Sequence, residues 1–180
     1  MKHKSIIPHI FTSLRIVLTP IFAWMFMHQD HQLQVLSVVV FTLAALTDGC
    51  DGYFARRFDV VSWLGGFMDP LADKILVTTA LSCLVLRGVI PWWPVVAMVL
   101  RDLLVTILRL LAKKQGGSFE TMWLAKAKTT AQFMALYVGF GVVIYALPEL
   151  MQKITVGLMI GVAGVTVYTG LLYVKRAMRD

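Results

Sequence analysis

The chain has 180 residues, of which 58% are hydrophobic and 15% are charged. Soluble domains carry about a quarter charged residues and less than half apolar residues, so this composition excludes an ordinary soluble domain and indicates a protein whose solvent is largely lipid. The formal net charge is +7, and the basic residues lie between apolar runs, which favours anionic head groups or phosphates as partners and argues against nucleic acid.

Apolar segments follow one another along the whole chain. A helix needs about 20 mostly apolar residues to cross a bilayer, and each segment reaches or approaches that length. The segments predict an all-α integral membrane protein with six transmembrane helices and one domain over residues 1–180. The predicted spans cover approximately Ile16 to Met27, Leu33 to Thr47, Leu64 to Leu86, Pro94 to Ala112, Thr129 to Leu147 and Ile154 to Val174, and the second is lengthened by part of the polar stretch that follows it.

The distribution of Lys and Arg predicts the orientation of these spans, because basic residues are retained on the cytoplasmic side of a membrane. The first, third and fifth connections hold only Arg87 and Lys153, whereas the termini and the other connections hold most of the rest. We therefore expect both termini to face the cytoplasm, with the protein in the cell (inner) membrane. Trp92 and Trp93 fit an interfacial belt on the outer side.

Four aspartates form the strongest candidate site. Asp48 and Asp51 are three positions apart, and Asp69 and Asp73 are four apart, so on helices each pair falls on one face. Two facing helices would bring the carboxylates together near the membrane, where their repulsion and desolvation are costly. A divalent cation resolves both problems, and oxygen-only ligands suit Mg²⁺ or Mn²⁺. Two ions about 4 Å apart would activate an attacking oxygen and neutralise a leaving phosphate. Because the predicted orientation places the connection after the second span on the cytoplasmic side, we expect this active site to face the cytoplasm.

Residues near the aspartates fit the same chemistry. Gly52 and Gly65 remove side chains where a nucleotide or a second helix must approach the backbone closely. Arg56 provides a planar fork that suits the oxygens of a pyrophosphate.

The alternative is that the aspartates lie in a water-exposed loop, with the neighbouring arginines marking the cytoplasmic side. This alternative stays open for Asp48 and Asp51 taken alone. It does not explain Asp69 and Asp73, because these two residues begin a long apolar run.

The spacing of these residues resembles the signature of the CDP-alcohol phosphotransferase (CDP-alcohol phosphatidyltransferase) family, Asp-x2-Asp-Gly-x2-Ala-Arg-x8-Gly-x3-Asp-x3-Asp. Every fixed position is matched, at Asp48, Asp51, Gly52, Ala55, Arg56, Gly65, Asp69 and Asp73. The resemblance implies the family's six-span fold. It also implies that the first three aspartates hold the metals and that Asp73 is the general base. The acceptor's oxygen would then attack the β-phosphorus of a CDP-lipid, and CMP would leave.

The same matching implies which residues contact the CDP-lipid. Four of them are fixed positions of the motif, one lies in its eight-residue spacer, and one precedes it, where the family has Asn-x2-Thr and this chain has His9-x2-Thr12. The residues are Thr12, Gly52, Ala55, Arg56, Ser62 and Gly65.

Later segments are similar to particular branches of the family. The segment from Gly66 to Lys74 resembles phosphatidylglycerophosphate synthases and CMP-forming cardiolipin synthases. Two basic segments beyond it resemble the glycerophosphate branch, in which a basic cluster would bind the phosphate of the acceptor. The residues expected to form that cluster are Arg101, Arg109, Lys126 and Lys128.

Departures from that branch leave alternatives open. Ala125 replaces a glycine of the glycerophosphate pattern, and Asp102 replaces a glutamate, which is closer to the cardiolipin branch. In the simplest alternative, Asp102 only partners Arg101. Lys126 and Lys128 would then only mark the cytoplasmic side and extend toward lipid head groups.

The sequence therefore favours phosphatidyl transfer from CDP-diacylglycerol to glycerol-3-phosphate, giving phosphatidylglycerophosphate and CMP. The alternatives are a CMP-forming cardiolipin synthase, another CDP-diacylglycerol-dependent transferase and, in a different class, a divalent-cation carrier. The carrier hypothesis does not explain the spacing of the motif's glycines and arginine. On the sixth segment, glycines that include a small-x3-small pattern predict either a homodimer contact or ordinary packing within the bundle; they are Gly157, Gly161 and Gly164.

Overall fold

The computed structural model is an all-α protein. It describes the backbone of residues 6–58, 65–114 and 123–177, and the side-chain surroundings of residues 13–47, 74–106 and 128–172. Each apolar segment of the sequence overlaps one helix, which confirms the all-α prediction. The helices are α1 (Ile6–Met27), α2 (His31–Phe58), α3 (Gly65–Leu86), α4 (Trp92–Lys114), α5 (Trp123–Tyr145) and α6 (Glu149–Ala177).

The acidic motif is helical at both of its ends. α2 continues beyond the second apolar segment, so Asp48 and Asp51 lie on a helical backbone. α3 contains Asp69 and Asp73 close to its N-terminus. The first pair therefore does not lie in a loop, while the exposure of its side chains lies outside what the structure describes.

Contacts divide the chain into two compact units, Met1–Cys83 and Leu84–Asp180. In the first unit, α1 packs against α2. The buried ring of Phe22 lies 5.7 Å from that of Phe26 and 5.2 Å from that of Phe41, measured between ring centroids. Of these pairs, Phe22–Phe41 joins α1 to α2, and an aromatic pair at such a distance contributes about 0.5–1.5 kcal/mol beyond the burial of its area.

In the second unit, α6 packs against both α4 and α5. The core of this unit contains fully buried apolar side chains from each of these helices. They include Met98 of α4, Leu136 and Phe140 of α5, and Met159 of α6.

A glycine ends α3 and turns the chain toward α4. The N–H of Gly88 donates to the carbonyl of Val85 at 2.9 Å, and the N–H of Val89 donates to the carbonyl of Leu84 at 3.0 Å. This is the Schellman pattern, which requires a left-handed residue, and Gly88 supplies it with a φ of 72°.

The second unit buries polar side chains and exposes apolar ones. Thr155, Thr166 and Thr169 of α6 are fully buried. A lipid environment permits this arrangement, because polar groups must be satisfied inside the protein while apolar groups face the solvent. The exposed large apolar side chains of α6 include Leu158, Ile160, Val165, Val167 and Leu171.

Length and composition alone identify one helical stretch able to cross a membrane in the part of the chain that the structure describes. This stretch is Glu149–Leu172 of α6, which agrees with the sixth predicted span. Shorter apolar helices cover Ser13–Met27, His31–Thr47 and Lys74–Leu86. Six spans and the cytoplasmic orientation of the termini stay predictions.

The glycines of the small-x3-small pattern on α6 do not serve contacts within the described part of the chain. A Cβ atom built on Gly157, Gly161 or Gly164 meets no atom within 4 Å. Among the described residues, the pattern has no packing partner; the choice between a homodimer contact and packing within the bundle stays a prediction.

Gly139 of α5 allows a close contact, and its replacement tests the packing of the second unit. A Cβ here would lie 2.7 Å from Cδ1 of Leu84 and 3.4 Å from Cγ2 of Thr155, and both of these residues are fully buried. We expect Gly139→Ala to destabilise the protein by about 1–3 kcal/mol, the usual cost of overpacking a core. The midpoint of thermal unfolding in detergent measures the change.

The matched control is Gly141→Ala, whose added methyl group would approach Cδ1 of Leu147 no closer than 3.4 Å. Because alanine favours helix more than glycine does, this variant should unfold at the wild-type midpoint or above it. Equal midpoints for the two variants would contradict the packing described at Gly139.

Candidate functional site

The acidic motif lies entirely in the first unit, on α2 and α3. A separation of three or four residues corresponds to about 4.5–6 Å along a helix axis, so Asp48 and Asp51 stand about one turn apart, as do Asp69 and Asp73. This spacing and the all-oxygen donor set fit a hard divalent cation such as Mg²⁺ or Mn²⁺, which binds carboxylates and water in preference to sulfur.

The side chains of these aspartates lie outside those that the structure describes. The same holds for every residue that the sequence assigns to the CDP-lipid and for part of the predicted basic cluster: Thr12, Gly52, Ala55, Arg56, Ser62, Gly65, Arg109 and Lys126. Their roles stay predictions. Among the residues that are described, no group of three or more His, Cys, Asp or Glu could hold a metal ion.

Arg101 belongs to the predicted basic cluster and is held against α6. Its Nε donates to the backbone carbonyl of Thr166 at 3.0 Å, and its Nη2 donates to the hydroxyl of Thr169 at 2.9 Å. Its Nη1 donates to Oδ1 of Asp102 at 3.0 Å. The side chain of Arg101 is only 12% exposed. Each guanidinium nitrogen has an acceptor inside the protein, which offsets the cost of burying the charge.

The approach of Arg101 to α6 depends on the absence of a side chain at Gly170. A Cβ atom built there would lie 2.7 Å from Cγ of Arg101 and 3.7 Å from its Cδ. Gly170 is buried and directly follows Thr169. The stem of the arginine can therefore cross the surface of α6 while its guanidinium reaches the threonine hydroxyl.

Lys128 of α5 meets the same carboxylate as Arg101. Its Nζ donates to Oδ1 of Asp102 at 2.9 Å, and its side chain is 6% exposed, against 25% for Asp102. One oxygen of Asp102 is thus shared by two cations. We call Arg101, Asp102 and Lys128 the buried charge cluster; with two cations and one anion it carries a surplus of positive charge.

These contacts bear on the alternative, left open by the sequence, that Asp102 only partners Arg101. Asp102 does partner Arg101, and it partners Lys128 as well. The structure thus brings together the two described members of the predicted basic cluster, and a carboxylate stands between them. Their contact with a phosphate stays a prediction.

Sequence patterns do not identify the partners of the arginine on α6. Thr166, Thr169 and Gly170 lie far from it in the chain, and no motif contains them. The signal available in the sequence is weak: three small residues that share one face of an otherwise apolar helix.

Replacement of Arg101 by Lys tests the connection between α4 and α6. Lysine keeps the charge but has a single nitrogen, so it cannot reach Asp102 and the acceptors on α6 at once. We expect Arg101→Lys to destabilise the protein by about 2–4 kcal/mol, because hydrogen bonds to charged groups contribute about 1.5–3 kcal/mol each. Chemical unfolding in mixed micelles measures the loss.

The matched exchange is Lys153→Arg, at an exposed ion pair with Glu149 whose side chains are 70% and 78% exposed. Surface pairs of this kind contribute little, so its stability should remain within about 0.5 kcal/mol of the wild type. Wild-type stability of the Arg101→Lys protein would contradict the role of the guanidinium as a link between helices.

Residues 5–168 match a family model described as CDP-alcohol phosphatidyltransferase. The match covers the acidic motif and extends through most of both compact units. The likeness therefore concerns the helical chain as a whole and is not confined to one motif.

Relatives of similar length are also found. A Mycobacterium tuberculosis protein named "Probable phosphatidylglycerophosphate synthase" is 36% identical over 175 residues, which cover 96% of this chain and 81% of that protein. The "CDP-diacylglycerol--glycerol-3-phosphate 3-phosphatidyltransferase" of Pectobacterium atrosepticum is 32% identical over 179 residues, covering 97% of this chain and 96% of that protein. The protein of the same name from Blochmanniella floridana is 36% identical over 135 residues, which cover 72% of this chain and 70% of that protein.

Proposed function

Because the chain belongs to the CDP-alcohol phosphatidyltransferase family, we propose that it transfers the phosphatidyl group of CDP-diacylglycerol to glycerol-3-phosphate, giving phosphatidylglycerophosphate and CMP. The observation that carries this proposal is the complete acidic motif, with its two carboxylate pairs on the helical backbones of α2 and α3. Relatives named for this reaction or its product, at 32–36% identity, support the choice of acceptor.

In the proposed reaction, Asp73 is the general base. It takes the proton from the attacking hydroxyl of glycerol-3-phosphate, and the hydroxyl oxygen attacks the β-phosphorus of CDP-diacylglycerol. A new phosphorus–oxygen bond forms, the bond from that phosphorus to the bridging oxygen breaks, and CMP leaves with the electron pair. Phosphoryl transfer demands mainly positioning and charge neutralisation from a protein, which a group of carboxylates and basic residues can supply.

The aspartates also form the proposed metal site, for two Mg²⁺ or Mn²⁺ ions. Asp48, Asp51 and Asp69 would hold the ions, with Asp73 in the same carboxylate group. When bound, the ions would neutralise the charge on the reacting phosphates. The spacing of each pair by about one helical turn supports this set of ligands.

The CDP-lipid is proposed to contact the motif and the N-terminal part of the chain. The guanidinium of Arg56 matches the oxygens of the pyrophosphate, and the small residues leave room for the nucleotide. The proposed contacts are Thr12, Gly52, Ala55, Arg56, Ser62 and Gly65.

The phosphate of the acceptor is proposed to bind the basic residues of α4 and α5, namely Arg101, Arg109, Lys126 and Lys128. The buried charge cluster supports this assignment. It has a surplus of positive charge, and the ammonium of Lys128 is shielded from water, so its attraction for a dianion is stronger than that of an exposed lysine.

The membrane arrangement is part of the same proposal. The apolar exterior and polar interior of α6 support a chain of one domain with six spans, placed in the cell (inner) membrane. The basic connections support cytoplasmic termini and a cytoplasmic active site. A homodimer contact along α6 is proposed at Gly157 and Gly161, where no atom of the described residues lies within 4 Å of an added Cβ and where small residues would let two helices approach closely.

A second candidate is the CMP-forming synthesis of cardiolipin, in which the acceptor is phosphatidylglycerol. The observation that favours it is Asp102, which stands where the glycerophosphate branch has a glutamate. Purified protein supplied with CDP-diacylglycerol, Mg²⁺ and either radiolabelled acceptor separates the two. The leading proposal expects labelled phosphatidylglycerophosphate, and labelled cardiolipin alone would replace it with the second.

Two aspartate variants test the proposed division of roles. Asp73→Asn should abolish CMP release while CDP-diacylglycerol still binds, because it removes the base. Asp51→Asn should lose both CMP release and divalent-ion binding, because it removes a metal ligand. Losing a base that supplies about 10²–10⁴-fold of rate leaves little activity to measure. Substantial turnover by the Asp73→Asn enzyme would rule out its role as the base.

The basic residues give a prediction specific to the acceptor. We expect Arg109→Ala or Lys126→Ala to raise the KM for glycerol-3-phosphate at least about tenfold, since a charge-assisted contact to phosphate contributes about 1.5–3 kcal/mol. The KM for CDP-diacylglycerol should change little. Lys153→Ala, at an exposed pair, serves as the control and should leave both constants unchanged. Unchanged kinetics in the first two variants would remove the acceptor assignment.

A further inference from the structure

The buried charge cluster contains one residue to which no role in the reaction has been given. We propose that Asp102 is a positioning residue for the acceptor: it fixes the direction of the ammonium of Lys128, and Arg101 anchors it to α6. The inference rests on the proposed function, because it assigns Lys128 to the phosphate of the acceptor.

The first step is the sharing of a single oxygen. Oδ1 of Asp102 accepts from Nη1 of Arg101 at 3.0 Å and from Nζ of Lys128 at 2.9 Å. A lysine stem has four rotatable bonds and directs its ammonium only when a fixed partner holds it. Asp102 is such a partner, because its own position is set by the arginine beside it on α4.

The second step is that the two cations of the cluster have different roles. Arg101 donates from each of its three nitrogens to a protein acceptor, two of which lie on α6. Two of its five N–H groups therefore hold α4 against α6, and a third holds Asp102. Beside its proposed contact with the phosphate, Arg101 acts in this arrangement as the anchor of Asp102.

Lys128 is the member of the cluster whose ammonium takes its direction from Asp102. An ammonium has three N–H groups, and the carboxylate of Asp102 occupies one of them. The side chain is 6% exposed, so little water competes for the remaining donors. A phosphate oxygen that reaches this ammonium meets donors whose direction is already set, which lowers the entropic cost of binding.

Gly170 gives a way to disturb the cluster without changing any charge. A methyl group there would come within 2.7 Å of Cγ of Arg101, whose two ends are held by α4 and by its hydrogen bonds. The stem must move, and the carboxylate that Arg101 holds would move with it. Gly141→Ala is the matched control, because its methyl group would meet Leu147 at 3.4 Å.

The carboxylate of Asp102 could neutralise the charge of Lys128 or fix its position, and the two roles predict opposite effects of its removal on the KM for glycerol-3-phosphate. If the carboxylate only neutralised Lys128, its removal would strengthen the attraction for phosphate and lower the KM for glycerol-3-phosphate. If the carboxylate positions the ammonium, its removal raises that KM. The sign of the change therefore distinguishes the two.

The experiment is a double-mutant cycle on the full chain in detergent, with glycerol-3-phosphate and CDP-diacylglycerol varied in turn. We expect Asp102→Ala to raise the KM for glycerol-3-phosphate about tenfold, a change equivalent to about 1.4 kcal/mol. The KM for CDP-diacylglycerol should stay within about twofold. Asp102→Glu, which keeps the carboxylate, should recover most of the loss.

The double variant Asp102→Ala/Lys128→Ala should be no worse than Lys128→Ala alone, because Asp102 acts through the lysine. A KM that is unchanged or lowered in Asp102→Ala overturns the proposal, and so does a double variant in which the two effects multiply. If Asp102→Ala does not fold, the KM of Gly170→Ala for glycerol-3-phosphate tests the proposal in its place. A raised KM for the acceptor, with Gly141→Ala unchanged, supports the proposal, and a normal KM overturns it.

Failure of the proposed function has a different signature. A wild-type protein that releases no CMP with glycerol-3-phosphate would refute the proposed reaction, whatever the variants do. Calorimetric titration with inorganic phosphate then still measures the affinity of the buried charge cluster for a phosphate. Binding that weakens about tenfold in Asp102→Ala and Gly170→Ala supports the positioning role, and equal affinities in all proteins overturn it.

Discussion

The cost of an ionised side chain inside an apolar helical protein is the constraint on which this structure depends. A buried charge without a partner costs several kcal/mol, so each charge must be matched where it is buried. The second unit meets this requirement with the protein's own groups, since one oxygen of Asp102 accepts from both Arg101 and Lys128. The first unit carries four aspartates on two helices of an apolar chain. In our account, divalent cations match their charge.

These two ways of matching charge suit different tasks. Counter-charges that belong to the protein hold side chains in fixed directions, which is what recognition of a small dianion requires. Metal ions also match the charge of a substrate's phosphates, which is what departure of CMP requires. The proposed function thus assigns the chemistry to α2 and α3 and the recognition of the acceptor to α4 and α5. Thr166, Thr169 and Gly170 of α6 hold Arg101, one of the residues proposed for that recognition.

The helices were predictable from the sequence, and their ends were less so. Apolar length determines which segments become helical in a lipid-like setting, so each apolar run overlaps a helix. A helix continues for as long as its backbone hydrogen bonds do, and hydropathy reports only the apolar part; the predicted extension of α2 beyond Thr47 is helical, but its end at Phe58 could not be predicted. The motif of aspartates was predictable because the intervals between its residues can be read directly along the chain. The contacts of Arg101 with Thr166 and Thr169 were not, because residues 65 and 68 positions apart meet only when α4 packs on α6.

The central claim is that carboxylates on two helices hold the ions used in phosphatidyl transfer, and counting bound ions tests it most directly. Electron paramagnetic resonance of free Mn²⁺, titrated with the purified protein and CDP-diacylglycerol, gives the number of ions per chain. The account predicts about two ions for the wild type, as in other two-metal phosphoryl-transfer sites, and none when Asp48, Asp51 and Asp69 are all replaced by Asn with the helical content preserved. A wild-type chain that binds no Mn²⁺, or a triple variant that binds as much as the wild type, would contradict it.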